Sequence, residues 1–130
     1  MNSSTPPNAR REAHHRGRLA EALAVAWLRL KLYRILARGL VRGRGSGAGE
    51  VDIVAKRGRV LAFVEVKHRA DLDRAAQAIS AAQRGRIQRA AAAFVARRPD
   101  LAACDLRFDA ILVAPGRWPR HIPDAWRPDQ

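Results

Sequence analysis

The chain has 130 residues, of which 25 are lysine or arginine and 12 are aspartate or glutamate, so its formal net charge is +13. This length fits one compact domain, and the single cysteine, Cys104, excludes a disulfide framework and a cysteine-based zinc cluster. The basic excess favours polyanionic partners, above all nucleic acid. A GC-rich genome explains a preference for arginine over lysine, but not the excess of basic over acidic residues.

The N-terminal region is predicted to be a disordered tail over 1–11, followed by a helix from about 12 to 31. The first nine residues lack the basic start and apolar core of a secretory signal. The longest apolar stretch, 19–30, is too short to span a bilayer and is interrupted by Glu21 and Arg29. We therefore expect a cytoplasmic protein without a membrane partner.

Apolar residues lie on more than one face of this first helix. One stripe at helical spacing consists of Leu19, Leu23, Ala26, Trp27 and Leu30, and Ala24, Val25 and Leu28 lie on another side. A helix that is apolar nearly all round is usually well buried, so we expect burial here. Glu21 projects from this largely apolar surface.

The rest of the chain alternates strands and one long helix. Strands are predicted at 33–37, 50–56, 59–67 and 107–114, and an alanine-rich helix at 73–97. The glycine-rich stretch 38–49, which holds Arg42 and Arg44, is either a flexible basic flap over DNA or a linker. The order α-β-β-β-α-β predicts an α/β fold, a mixed sheet flanked by helices, in one domain spanning 12–130 with an irregular tail from about 115.

An acid and a base interrupt the apolar strand "VLAFVEVK". Because side chains alternate along a strand, Glu65 and Lys67 share a face with Leu61 and Phe63. If the hairpin turns through two or four residues around Arg57-Gly58, Asp52 faces Phe63 and becomes a diagonal neighbour of Glu65, with Glu50 on the same face. A three-residue turn would change this register.

Several carboxylates on one partly buried face repel one another and require a cation or protonation. Carboxylate oxygens suit hard cations, and Mg²⁺ typically takes one or two of them with water and phosphate oxygens. Lys67 would lie beside such a metal and could hold a phosphate or an attacking water. The alternative is a solvent-facing strand surface with an incidental ion pair, which Leu61 and Phe63 on the same face argue against.

The segment "GEVDIVAKRGRVLAFVEVKHR", 49–69, resembles the signature of the YraN-like family of uncharacterised bacterial proteins, which is regarded as part of the PD-(D/E)XK nuclease superfamily. The similarity extends over most of 17–126 through "AEALAVAWL", "YRILAR", "RFDAILVA" and "RHIPDAW". It departs at Ala20, Gly39 and Gln83, where similar sequences often carry Gly, Asn and Lys. The resemblance implies a restriction-endonuclease-like core related to Holliday-junction resolvases.

The resemblance also implies roles for individual residues. Asp52, Glu65 and the backbone carbonyl of Val66 would bind Mg²⁺ or Mn²⁺, Lys67 would polarise water or stabilise charge on phosphate, and Glu21 would assist through a water or a second metal. The implied function is metal-dependent hydrolysis of DNA phosphodiesters, including branched intermediates, by a homodimer. The alternative is a DNA-binding or recombination-accessory protein that keeps the fold without cutting.

Further contacts to nucleic acid are expected from arginine and glutamine side chains. The candidates are Arg42, Arg44, Gln77, Arg84 and Arg86. A solvated helix face explains the residues of the long helix equally well. DNA is favoured over RNA because no RNA-recognition motif is visible. Asp109 is expected to be structural, paired with Arg107 or a loop, and His68 to serve packing.

Overall fold

The computed structural model describes residues 7–40, 51–68 and 79–128, with side chains from residue 17 onward. Its elements follow in chain order: α1 Pro7–Leu30, β1 Arg34–Leu40, β2 Val51–Arg57, β3 Val60–His68, α2 Ala81–Ala96, a 3₁₀ turn Pro99–Leu101, β4 Asp105–Val113 and β5 Arg120–Trp126. None of the helices among these residues is long and apolar enough to cross a membrane.

The five strands form one mixed sheet in the order β1-β2-β3-β4-β5. Among the described strands, only β3 and β4 pair in parallel, and α2 lies in the crossover that parallel strands need. The other neighbours are antiparallel. This arrangement confirms the predicted α/β fold with its α-β-β-β-α-β core and adds a fifth strand.

The two helices of the described residues cover opposite faces of the sheet. Phe63 of β3 packs in a core with Ile87 of α2, whereas Val64, the next residue, packs in a second core with Leu28 of α1. Strand alternation therefore divides β3 between two buried layers. Because both faces are covered, the central strands are nearly continuous apolar runs, as "LAFV" shows.

The first helix differs from its prediction at two points. It begins at Pro7 rather than near 12, so part of the expected tail is helical. Its sheet-facing side consists of Ala20, Ala24, Val25 and Leu28, while Leu19, Leu23 and Leu30 remain 51%, 50% and 76% exposed. The expectation of all-round burial is therefore wrong, because the sheet covers one side of the helix and the small alanines are the residues that let it approach closely.

Leu32 ends the first helix in an unusual backbone conformation. Its φ is +69°, in the left-handed region where glycine is normal at this position. The N–H of Tyr33 donates to the carbonyl of Leu28 at 2.9 Å, the bond that closes a Schellman motif. Leu32 is also 82% exposed, so it carries backbone strain without compensating burial.

The β2–β3 hairpin is two positions away from the predicted register. Arg57 pairs with Val60, so the turn is Gly58-Arg59, and Gly58 has a φ of +61°, as a two-residue turn with glycine first requires. The pairing of β2 with β3 ends at Ile53 and Val64. Continuing this register by one residue places Asp52 opposite Glu65 instead of Phe63, which brings the two carboxylates closer than predicted.

The segment after Pro115, expected to be irregular, contains β5 at the sheet edge. Strand β5 contains two residues that are unusual in a strand. Pro123 has no N–H to donate to a neighbouring strand, which an edge strand tolerates. Asp124 has a φ of +54°. The N–H of Asp124 donates to the buried Asp109 carboxylate at 3.0 Å. This side chain therefore fixes the irregular part of β5 against β4.

Asp109 is the centre of a buried polar network, which confirms its predicted pairing. Arg107 donates to both of its oxygens at 2.8 Å, and Nε2 of His121 lies 2.8 Å from Oδ2. Arg107 also reaches the hydroxyl of Tyr33. Burial acts to raise the pKa of Asp109, but these hydrogen bonds outweigh it and hold the pKa below the ordinary value of 3.8.

Candidate metal centre

Asp52 lies where β2 leaves its pairing with β3. Val51 packs on the α2 side of the sheet and Ile53 on the α1 side, so the usual alternation breaks at the residue between them. The residue opposite Asp52 on β1 is Gly39, between the pairs Arg38–Ile53 and Leu40–Val51. Gly39 has a φ of +60°, and this kink explains the break.

The kink directs the Asp52 carboxylate across the gap between the two strands. Its Oδ2 accepts a hydrogen bond of 2.8 Å from the backbone N–H of Val66. It also lines a cavity on the α1 side of the sheet. The prediction that Asp52 projects squarely from the same face as Glu65 and Lys67 is therefore wrong in detail, although the carboxyls still meet.

Glu65 and Lys67 lie together on the α2 side of β3. The ammonium of Lys67 is 3.3 Å from Oε2 of Glu65. The Lys67 side chain is only 13% exposed and the Glu65 side chain only 8%. Gln83 joins them: its amide nitrogen donates to Glu65, and its amide oxygen accepts from Lys67 at 3.2 Å. Helix α2 thus closes this side of the candidate site.

The environment of Glu65 disfavours its charged form. Burial is the largest cause, and the hydrogen bond and charge of Asp52 add to it, so the pKa rises from 4.5 to about 8. Lys67 opposes this rise through its charge and its hydrogen bond. The positive charge of Lys67 is therefore too small to let both carboxyls ionise at their ordinary pKa values. A bound cation would add positive charge and favour ionisation of both.

A cavity of about 350 Å³ adjoins Asp52 on the other side of the strand gap. Its lining residues are Gly17, Arg18, Ala20, Glu21, Asp52, Val66 and His68. Glu21 comes from the first helix, as predicted, and Arg38 of β1 donates to its carboxylate at 3.1 Å. The structure therefore brings Glu21 to the same cavity as Asp52, with an arginine as its present partner.

The donor set fits a hard divalent cation. Asp52 and Glu65 supply two carboxylates from adjacent strands, and Mg²⁺ is commonly bound by one or two carboxylates together with water and phosphate oxygens. Within the part of the chain that the structure describes, no cluster of three His, Cys, Asp or Glu side chains is close enough to enclose a metal by itself. The site therefore suits a cation that keeps several water or substrate ligands.

The residues predicted to contact nucleic acid are placed less centrally. Arg84 lies with its guanidinium 5.7 Å from the ring centre of Trp126, in a separate small cavity. Arg86 is exposed on α2. Arg42, Arg44, Gln77 and the carboxylate of Glu50 lie outside the described residues, so these contacts stay predictions.

Gln83 is the site residue that sequence reasoning missed. A signal was present, because Ser80-Ala-Ala-Gln83 is the spacing of a capping box at a helix start. The hydroxyl of Ser80 does cap α2 by accepting from the N–H of Gln83 at 3.1 Å. The Gln83 side chain instead turns to Glu65 and Lys67, and starting the helix near 73 hid that geometry. Arg18 and His68 were likewise not assigned to the cavity.

Comparison with known proteins agrees with the sequence resemblance at the family level. The model of the uncharacterised protein family UPF0102 matches residues 20–113. A UPF0102 protein of Paramagnetospirillum magneticum is 64% identical over 129 residues, covering 99% of this chain and 100% of the relative. One from Methylorubrum extorquens is 52% identical, covering 97% and 96% of the two chains, and one from Parvibaculum lavamentivorans is 53% identical, covering 89% and 84%.

Proposed function

The chain belongs to the UPF0102 family, and from its paired carboxyls and lysine we propose that it is a metal-dependent nuclease that hydrolyses DNA phosphodiesters. The observation that carries this proposal is that Asp52 and Glu65, from adjacent strands, interact closely enough for Asp52 to raise the pKa of Glu65, and that the ammonium of Lys67 lies 3.3 Å from Glu65. Two acids and a lysine in a half-closed site provide for a cation and for an anionic substrate. The PD-(D/E)XK resemblance of the sequence points to the same chemistry.

Asp52 and Glu65 would hold Mg²⁺ or Mn²⁺, with the carbonyl of Val66 as a further oxygen ligand. When bound, such an ion lowers the pKa of coordinated water and offsets negative charge on a phosphate group. The carboxyls would then both be ionised, since the cation offsets the burial and mutual repulsion that now oppose ionisation of Glu65. The hydrogen bond from the N–H of Val66 fixes the orientation of Asp52 for this role.

Lys67 is held so that its ammonium can face a phosphate. Glu65 and Gln83 occupy two of its hydrogen-bonding directions, at 3.3 and 3.2 Å, and an ammonium has three donors. The remaining donor can bind a non-bridging phosphate oxygen or orient the attacking water, and charge that develops on phosphate would strengthen this contact. Gln83 would hold the orientation of Lys67 beside Glu65, since its amide bonds to both side chains.

The surroundings of the site suit a polyanion. The chain carries a net charge of +13, which draws a phosphate backbone by releasing its counterions. Arg18 and His68 line the cavity next to Asp52 and could contact a neighbouring phosphate, while Glu21 would act through a water or a second cation. DNA, including branched recombination intermediates, is the substrate class we propose.

The test is cleavage by the purified protein with Mn²⁺ or Mg²⁺ of linear, flapped and four-way-junction DNA. Lys67→Ala should lose at least 100-fold in rate, in keeping with the loss of a charge-stabilising donor. The matched control is Lys56→Ala, because the ammonium of Lys56 donates to the turn carbonyl of Gly58 at 2.8 Å, at the opposite end of β2 from Asp52. Equal rates for wild type and Lys67→Ala, including no cleavage by either, would remove the basis of the proposal.

The high positive charge by itself also fits a protein that binds DNA without cutting it. In that case DNA affinity would survive Asp52→Asn, would depend little on Mg²⁺ and would still fall steeply with salt. A nuclease should instead bind DNA more tightly when Mg²⁺ is present, and Asp52→Asn should abolish that increase. Fluorescence anisotropy with labelled duplex, with and without Mg²⁺, separates the two functions.

A further inference from the structure

Within the part of the chain that the structure describes, an apolar stripe on the outer side of α1 remains largely open to solvent. It consists of Leu19, Leu23, Ala26, Trp27 and Leu30, and we call it the α1 stripe. The three leucines are 51%, 50% and 76% exposed, and Ala26 is also exposed. The opposite side of the helix is the one that packs on the sheet, so the stripe contributes little to the core of the domain.

The spacing of the stripe is that of a helix–helix seam. Leu19, Leu23, Ala26 and Leu30 follow one another at intervals of four, three and four residues, the alternation that places side chains along one line facing a second helix. Ala26 in the middle leaves room for a side chain of a partner. A stripe of this kind selects a helix rather than a strand or a small molecule.

Trp118, in the connection between β4 and β5, widens the stripe. It is 80% exposed, and its ring centre lies 5.9 Å from that of Trp27. Together these side chains expose on the order of 500 Å² of apolar surface, at the upper end of what monomers leave uncovered. Exposed tryptophans are also the residues most often found at the energetic centre of protein interfaces.

The charges beside the stripe decide what kind of helix fits. Arg18 and Arg29, three helical turns apart, are both exposed along one edge of it. A second copy of this chain would bring the same arginines to the seam, and the whole molecule already carries +13. A helix with carboxylates flanking its apolar residues would instead pair with both arginines.

We propose that the α1 stripe binds an amphipathic helix of an acidic partner protein, with leucine-type side chains against the stripe and Glu or Asp beside Arg18 and Arg29. Such a partner would lie on the same helix whose middle turns, at Gly17, Arg18 and Glu21, line the cavity next to Asp52. The proposal does not depend on nuclease activity, since the residues that test it, Leu23 and Arg29, do not line that cavity.

The probe is a synthetic helical peptide of three heptads with leucine at the seam positions and glutamate at the flanking positions. A matched peptide carries lysine at the flanking positions. Binding to the full chain is measured by titration calorimetry and by the emission of Trp27 and Trp118, which should shift to shorter wavelength. We expect the glutamate peptide to bind at least tenfold more tightly than the lysine peptide at physiological salt.

Leu23→Asp should reduce binding of the glutamate peptide at least tenfold, and Arg29→Glu at least threefold. Leu106→Asp is the matched control, because Leu106 is 45% exposed on β4 and should leave binding unchanged. Three results would overturn the proposal: equal or no binding of the two peptides, a chain dimer in sedimentation that Leu23→Asp dissociates, or a fall of several degrees in the Tm of Leu23→Asp, which would mean that the chain itself covers the stripe.

Discussion

Glu65→Gln should stabilise the metal-free protein at alkaline pH, although it removes a proposed metal ligand. Burial and the neighbouring Asp52 raise the pKa of Glu65 in the folded protein from 4.5 to about 8. For a group whose pKa is higher in the folded than in the unfolded protein, the contribution to stability is fully present below the unfolded pKa. It is lost as the pH rises toward the folded pKa, because ionisation then favours the unfolded chain. The effect therefore develops between about pH 4.5 and 8 and is complete above that range.

The size of the gain follows from that interval. At 1.36 kcal/mol per pKa unit, the shift corresponds to roughly 5 kcal/mol of unfavourable ionisation. Glutamine keeps a polar partner for Gln83 but leaves the buried ammonium of Lys67 without its carboxylate, which offsets part of the gain. We expect a net stabilisation of about 2 kcal/mol at pH 8.5 and close to none at pH 4.5.

Urea denaturation in EDTA at the two pH values measures this difference directly. The matched control is Glu21→Gln, whose carboxylate is more exposed and pairs with Arg38, so this substitution should not stabilise the protein at pH 8.5. Adding Mn²⁺ should stabilise wild type and not Glu65→Gln. A Glu65→Gln protein that is less stable than wild type at pH 8.5, or equally more stable at both pH values, would refute the reasoning.

Three further substitutions test the backbone and the buried network. Leu32→Gly should raise the free energy of unfolding by about 1 kcal/mol in urea titrations, because it relieves a left-handed backbone at an exposed residue; a loss of stability would contradict this. Asp109→Ala should cost about 3–5 kcal/mol because it removes a buried carboxylate and leaves the half-buried Arg107 without its partner. The folded pKa of Asp109 is lowered, so its stabilisation of wild type should fade as pH falls below 3.8. Thermal melts check both effects, with the exposed Asp100→Ala as a control that should change little. Gly39→Val should cost about 1–3 kcal/mol and weaken Mn²⁺ binding, whereas Gly39→Asn should be milder because Asn tolerates positive φ; equal calorimetric binding by both variants would show that the kink does not position Asp52.

Alternation along β3 was enough to predict most of the candidate site. The pattern in "VLAFVEVK" placed Glu65 and Lys67 on one face, and the structure has them 3.3 Å apart. The sequence did not determine the hairpin register, because Gly58 can be the second residue of a turn at Arg57-Gly58 or the first residue of a turn at Gly58-Arg59. The structure has the second turn. The two-position error preserved the faces, since side chains repeat every two residues along a strand.

The features that sequence did not predict depend on contacts between distant segments. Strand β5 is fixed by the buried Asp109 across 15 residues, and Pro123 made the segment read as irregular. The break at Asp52 depends on the backbone of Gly39 in the neighbouring strand. The exposed side of α1 could not be predicted from the sequence either. Apolar residues lie on several faces of this helix, and their pattern does not indicate which face the sheet covers.

The measurement that tests the central claim most directly is Mn²⁺ binding to the DNA-free protein, followed by titration calorimetry at pH 8. If Asp52 and Glu65 form a cation site, wild type should bind Mn²⁺, and Asp52→Asn and Glu65→Gln should each weaken binding at least tenfold, while Lys56→Ala should not. Absence of binding at millimolar Mn²⁺, or binding that neither carboxyl substitution changes, would contradict the account.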